Sequence, residues 1–194
     1  MIESASQTLS SWKTGQREQQ LYDQYVEFAD DPSHTLRETS PSQHLTVSAF
    51  IFSPDMRRVV LCFHKKGQFW LQLGGHIEPQ DSSLFKAANR EAHEESGLTG
   101  LAQLTTDPVD LSRHSLPGGF GKCEVHWDVG FGFTSNTAEG IVVSDESEDV
   151  RWWSVDNLPT PLAEGVEQRI EAIKSAFDSG GSKRAGLLAG SFPN

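Results

Sequence analysis

Three glutamates crowd into "NREAHEESGL" (89–98): Glu91, Glu94 and Glu95. Carboxylates spaced i and i+4 share one face of a helix, and the one between lies at its margin. If the helix ends at Gly97, its negative pole sits beside them, and each acid there is disfavoured by ~0.3–1 kcal/mol. Converging carboxylates also repel one another and raise each other's pKa. Two arrangements relieve this. A hard cation, Mg²⁺ or Mn²⁺, takes carboxylate, carbonyl and water oxygens, and Mg²⁺ pairs one or two protein carboxylates with substrate phosphates. Alternatively, this is a charged surface helix in which Arg90 pairs with Glu94 at i+4.

The spacing predicts a helix from about Ser83 to Ser96, with Asp81 or Ser82 near its cap and Gly97 as its stop. At about 100° per residue, Leu84, Ala87, Ala88, Glu91 and Glu95 fall on one face. That face starts apolar and turns acidic in its last turns, whereas a solvated acidic stripe would lie opposite the apolar one.

The elements around this helix follow from periodicity. "HLTVSAFIFS" (44–53) and "RVVLCFH" (58–64) are rich in β-branched and aromatic residues and flank "PDMR", which predicts a hairpin. "QFWLQL" (68–73) is a further strand, ended by Gly74-Gly75. In "CEVHWDVGFGF" the residues Cys123, Val125, Trp127, Val129, Phe131 and Phe133 face one way, and Glu124, His126 and Asp128 the other. "VRWWSV" (150–155) is a short strand, and Val166, Ile170, Ile173 and Phe177 mark one face of a final helix. Before all of these, Leu21, Tyr25 and Phe28 recur at helical spacing, and the helix they define stops near Pro32. The order predicts an α+β fold: a helical extension over 1–43, a mixed-sheet domain with helices over 44–178, and a Gly/Ser-rich, flexible tail over 179–194.

The chain has 194 residues and a formal net charge of −11, from 16 basic and 27 acidic residues. Nucleic acid would meet overall repulsion, and no dense Lys/Arg run opposes it. A small phosphorylated substrate is compatible with that charge if metal ions supply positive charge locally. No apolar run is long enough to span a membrane, and the N-terminus lacks the basic start and apolar core of a signal peptide, so a cytoplasmic location is expected. Cys62 and Cys123 lie in apolar-rich segments without metal-type spacing, which predicts buried thiols.

The stretch "GGHIEPQDSSLFKAANREAHEESGL" (74–98) resembles the signature of the Nudix hydrolases. Gly75 fits its opening, and Arg90-Glu91-Ala92-His93-Glu94-Glu95-Ser96-Gly97-Leu98 fits its second half. There are two departures: Asp81 stands where the family has Glu, and one extra residue separates it from Arg90. The extra residue puts the Asp81–Arg90 pairing in question. The resemblance spans roughly 44–177, and the Gly-Gly-His form of the box looks like that of a bacterial subset.

The resemblance implies a Nudix fold, a mixed sheet sandwiched between helices, and metal-dependent cleavage of a diphosphate linkage in a nucleoside diphosphate derivative or related compound. Carried over by position, Glu91 and Glu95 are the core metal ligands, Glu94 binds directly or through water, and the Gly74 carbonyl is a further ligand. Arg90 orients the carboxylates by ion pairing. The general base is Glu91 first and Glu146 second, and the cofactor is Mg²⁺ or Mn²⁺. The partner is a small phosphorylated substrate, and homodimers are common in the family. His76, His126 and Asp128 are candidates for substrate contact. His126 and Asp128 are expected to point into the same cleft as Glu91 and Glu95, on a face where Gly130 and Gly132 leave room for a ligand. They are alternatively a polar strand face turned to solvent, or the holders of another metal. A catalytically silent nucleotide-binding module of the same fold is the competing function, although such modules usually lose box carboxylates. An isopentenyl-diphosphate isomerase would need a Cys-rich motif, and neither cysteine lies in one.

Overall fold

A computed structural model of the chain describes residues 5–10, 19–116, 122–136, 140–142 and 147–179. Its centre is β1 (Gln43–Phe52), whose "HLTVSAFIF" run is buried along nearly its whole length. One edge of β1 pairs in parallel with β7 (Val125–Thr134), from Gln43↔Val125 to Phe52↔Thr134. The other edge pairs antiparallel with β4 (Leu73–His76) and, at its end, with β2 (Arg58–His64). β3 (Trp70–Leu71) and β8 (Ser147–Ser154) pair with β2, while β5 (Ala102–Gln103) and β6 (Asp110–Ser115) pair with β7. The sheet is therefore mixed. A strand buried on both faces reads as a continuous apolar run, as β1 does.

Alternation along β1 and β7 assigns the two faces. Leu45, Val47, Ala49 and Ile51, with Trp127, Val129, Phe131 and Phe133, join a core with α3 (Leu84–Ser96), which contributes Leu84, Ala87, Ala88 and Ala92. Phe50 and Phe52 face the other way, toward Val166, Ile170 and Ile173 of α4 (Val166–Ser179). The sheet thus lies between helices, as expected.

The N-terminal helices α1 (Ala5–Ser10) and α2 (Gln19–Ala29) pack on the core of α3, with Ala5, Leu9, Tyr25, Phe28 and Ala29 buried in it. α2 ends before a short 3-10 turn at Pro32–His34, capped by the Asp31 side chain on the Ser33 N–H (2.9 Å). The apolar stripe of Tyr25 and Phe28, with partly buried Leu21, is what drives this docking.

Two elements differ from the sequence reading. The strand predicted over 68–73 is two strands, and Gly74, Gly75 and His76 continue the second rather than ending it, opposite Ser48, Val47 and Thr46. Glycine is kept in a strand when another group must approach its backbone, and here those groups are β1 at Gly74 and Glu91 of α3 at Gly75. The second difference is β6, which the sequence pattern of 110–115 does not announce. Its ladder with β7, including His114↔His126 and Asp110↔Gly130, covers the outer edge of that strand. Of the tail predicted over 179–194, Ser179 ends the helix that starts at Val166, and residues 180–194, like the predicted base Glu146, lie outside the described residues. No described helix is long and apolar enough to cross a membrane.

Candidate active site

α3 ends at Gly97 as expected, but its cap is Ser83 rather than Asp81 or Ser82. The Ser83 hydroxyl caps it by accepting the Lys86 N–H at 3.2 Å, and Gly97 closes it in the left-handed region, φ 66°. Between those caps, Arg90 ties the site together. Its Nε donates to Asp81 Oδ1 at 3.2 Å and its Nη2 to Asp81 Oδ2 at 2.8 Å. Nη2 also donates to the His76 carbonyl at 2.9 Å, and Nη1 bridges Glu91 Oε1 at 2.9 Å and Glu94 Oε2 at 3.0 Å. Burial works to raise the Asp81 pKa, but the Arg90 hydrogen bonds and charge and the Glu78 N–H outweigh it and hold the carboxyl below its usual range. Asp81, more than any other group, in turn holds the guanidinium above its ordinary value. The extra residue before α3 leaves this pairing intact, because a turn from Glu78 to Asp81 takes up the slack: Asp81 N–H donates to the Glu78 carbonyl at 3.0 Å, and Glu78 N–H to Asp81 Oδ2 at 2.9 Å.

The two glycines of β4 have different neighbours, β1 at Gly74 and α3 at Gly75. The Gly74 N–H donates to Glu95 Oε2 at 2.7 Å. Gly74 sits at φ +148°, where an added Cβ would lie 2.2 Å from the Val47 carbonyl oxygen. A Cβ on Gly75 would lie 2.5 Å from a Glu91 carboxylate oxygen. Any side chain at 75 would displace Glu91.

The outcome combines the two readings of the acidic helix end. The i+4 pair of a surface helix is present, and Glu94 is 60% exposed. Glu91 and Glu95, however, are only 9% and 7% exposed, which a surface helix does not explain. Arg90 compensates Glu91 and the Gly74 N–H bonds Glu95, which hold both carboxylates against the strand. An all-oxygen donor set at a strand opened by glycine fits a hard divalent cation better than any softer metal.

The expectation for His126 and Asp128 is not met. Both lie on the face of β7 away from α3, because they alternate with Trp127 and Val129, which pack under that helix. The Asp128 carboxylate is fully committed within the protein. It accepts the Thr46 hydroxyl at 3.0 Å, the Ser48 hydroxyl at 2.6 Å and Arg169 Nη2 of α4 at 2.6 Å. Gly130 and Gly132 leave no room for a ligand: a Cβ on the first would meet Asp110 and Phe50 at 3.0 Å, and one on the second Leu104 at 2.9 Å. The His76 ring is on the same face, 5.1 Å from His44 and 5.6 Å from His126 between centroids. Only the His76 carbonyl, held by Arg90, touches the α3 site among the contacts of these three residues. Sequence reasoning missed Asp110 and Arg169, which complete the Asp128 network: Arg169 Nε donates to Asp110 Oδ2 at 2.7 Å. The available signal was that Arg169 falls three residues after Val166 and four before Ile173, on the buried face of α4.

Comparison with known proteins agrees with this geometry. The profile of the NUDIX domain family matches residues 42–175. A hydrolase of the NUDIX family from Clostridium perfringens superposes with a TM-score of 0.53 at 24% identity, covering 69% of this chain and 97% of its own. The NUDIX domain of Shewanella oneidensis NrtR, crystallised with ADP ribose, gives 0.51 at 25% identity, covering 70% and 89%. A C. elegans Ap4A hydrolase gives 0.56 at 15% identity, covering 72% and 98%. No curated relative matches the chain. By the profile match, the chain belongs to the NUDIX family. The match leaves α1 and α2 outside it.

Proposed function

We propose that the chain is a metal-dependent diphosphohydrolase acting on a nucleoside diphosphate derivative or a related small phosphorylated compound. The observation that carries this reading is the burial of two carboxylates, Glu91 and Glu95, against the glycine backbone of β4, with Arg90 fixing the first. Family membership supports it, and a relative of the same family holds ADP ribose, a nucleoside diphosphate derivative.

Glu91, Glu95 and exposed Glu94, with the Gly74 carbonyl, would hold Mg²⁺ or Mn²⁺. When bound, the ion neutralises the diphosphate and makes water a better nucleophile at neutral pH. The chain's own residues do the positioning. Arg90 fixes Glu91 and Glu94 relative to one another through a single nitrogen, and it anchors that arrangement to Asp81 and to the end of β4. Glu95 is oriented by the Gly74 N–H. Such preorientation removes freedom the acids would otherwise lose on each encounter with substrate. Glu91 accepts the proton of the attacking water, with Glu146 as the second candidate for that role.

The test is hydrolysis of a panel of ADP ribose, nucleotide sugars, dinucleoside polyphosphates and nucleoside triphosphates with Mg²⁺ and with Mn²⁺. Glu95→Gln keeps an oxygen for the Gly74 N–H and should lower turnover by at least ~100-fold while leaving the melting temperature near that of wild type. Full activity in excess chelator, or wild-type turnover in the variant, overturns the reading. Binding without any hydrolysis across the panel would instead make the chain a silent nucleotide-binding module.

A further inference from the structure

The sheet face away from α3 gathers four histidines from four strands: His44 of β1, His76 of β4, His114 of β6 and His126 of β7. Strand register puts His44 and His114 directly opposite His126 on its two sides. Ring centroids are 5.2 Å apart for His44 and His126 and 5.5 Å for His114 and His126. Cys123, two residues before β7, brings its Sγ to 3.8 Å from His44 Nε2. The ligand atoms of His44, Cys123 and His126 all lie within 4.8 Å of one another.

Three features suit this trio to a metal. The His44 Nδ1–H donates to the Ser40 carbonyl at 2.9 Å, which leaves the Nε2 lone pair available. A backbone carbonyl on the far nitrogen is the usual way a metal-binding imidazole is oriented. His126 Nε2 is buried and has no hydrogen-bond partner. Leaving such an atom unsatisfied is costly, and a bound ion would offset that cost. The two imidazoles are also in the neutral form a metal takes, since burial lowers the pKa of both His44 and His126.

We propose that His44, Cys123 and His126 bind a transition-metal ion, zinc by the chemistry of the donors, at a site separate from the carboxylates of α3. Two imidazoles and a thiol select a borderline-soft ion over Mg²⁺ or Ca²⁺. Bond lengths of ~2.0–2.3 Å in a tetrahedral site put ligand atoms ~3.3–3.7 Å apart, so the trio closes by about 1 Å on binding. The fourth position is left to water or to a neighbouring imidazole. A pocket of about 290 Å³, walled by Arg37, Glu38, Pro41, Lys122 and Cys123, opens the cluster to solvent from the thiol side. Burial keeps the Cys123 thiol protonated in the free protein, so binding forms a sulfur–metal bond and releases one proton to solvent.

Cobalt(II) reports on the thiolate. The full chain, stripped with chelator and dialysed, is titrated with Co²⁺ in excess Mg²⁺, which occupies the oxygen-rich site. The expected result is a near-ultraviolet thiolate-to-cobalt charge-transfer band that saturates at one ion per chain and is displaced by one equivalent of Zn²⁺. Cys123→Ser loses the band, His126→Ala weakens binding by at least ~10-fold, and Glu95→Gln leaves both band and stoichiometry unchanged. A folded wild-type chain without the band overturns the proposal, as does a band that survives Cys123→Ser or disappears in Glu95→Gln. The wild-type titration decides the presence of the thiolate even if a variant fails to fold. Because hydrolysis is not the readout, failure here leaves the function proposed for the α3 site standing, and the reverse holds too.

Discussion

Arg90 and Asp81 form a two-bond ion pair, Nε to Oδ1 and Nη2 to Oδ2, across the turn that precedes α3. This pair fixes the guanidinium that holds Glu91 and Glu94, so an acid remote from the reacting groups sets their positions. Asp81→Ala leaves Arg90 with two glutamates to neutralise and only the His76 carbonyl as an anchor. Breaking a buried pair by removing one partner costs ~3–5 kcal/mol, and the partial exposure of Arg90 puts this one at the lower end. We expect a loss of about 3 kcal/mol in urea unfolding and a fall in kcat larger than any rise in KM. A variant with wild-type kcat would show that Arg90 needs no anchor.

Arg169 stands between two carboxylates, with Nη2 at 2.6 Å from both Asp110 and Asp128. Arg169→Met would leave buried Asp128 and partly buried Asp110 facing each other without that cation. The expected destabilisation is ~3–5 kcal/mol by denaturant unfolding. Activity per folded molecule should stay near wild type, since this network lies on the far side of the sheet from Glu91. Selective loss of substrate affinity in a fully folded variant would return Asp128 to the substrate site.

Acid should weaken the metal-free chain in two stages. His76 and His126 have native pKa values of about 4 and about 3, below the ~6.5 of an unfolded histidine. Between those values the unfolded chain binds more protons than the native one, so stability rises with pH across the interval. The histidine contribution is therefore complete above about pH 6.5 and is lost as the pH falls toward the native values. Asp81 and Asp128 also have depressed pKa values, below the ~3.9 of an unfolded aspartate, and their contribution is lost on further acidification below about pH 4. Urea midpoints measured in chelator from pH 8 to pH 3 should fall in both windows, and His126→Ala should flatten the upper one. A midpoint that rises from pH 7 to pH 5 would contradict this.

Phe28 of α2 stacks on Trp127 with ring centroids 4.3 Å apart, and Tyr25 meets the same indole edge-on at 5.1 Å. The Tyr25 hydroxyl also donates to the Asp128 carbonyl at 2.9 Å. The N-terminal extension therefore closes the core at the start of β7. Phe28→Ala should cost ~3–5 kcal/mol and shift Trp127 fluorescence to the red as water reaches the indole. Deletion of residues 1–40 should cost more. An unchanged melting temperature after that deletion would show that the docking is dispensable.

The sequence pattern was enough to define β7, α2, α3 and α4, whose apolar residues recur on one face, and β1 and β2, whose β-branched and aromatic runs are buried on both faces. It also marked the acidic end of α3 and its Gly97 stop, since these lie within one continuous stretch and follow from local geometry, although the cap falls at Ser83. Asp81 shows where this reasoning stops. Counting residues questions its pairing, and only the folded turn at Glu78–Asp81 restores it.

The environment of His126 and Asp128 was decided elsewhere in the chain. Alternation along β7 correctly separated them from Trp127 and Val129, but it carries no information on which helix covers which face. That assignment depends on α3 packing over the odd-numbered residues, on α4 bringing Arg169 from 41 positions away, and on the unannounced strand β6 supplying Asp110 and His114. Period 2 fixes which side chains share a face, while the partners of that face come from contacts distant in sequence. For that reason a polar strand face read as a substrate cleft is instead, in the folded chain, a buried ion network at one end and a histidine–cysteine cluster at the other.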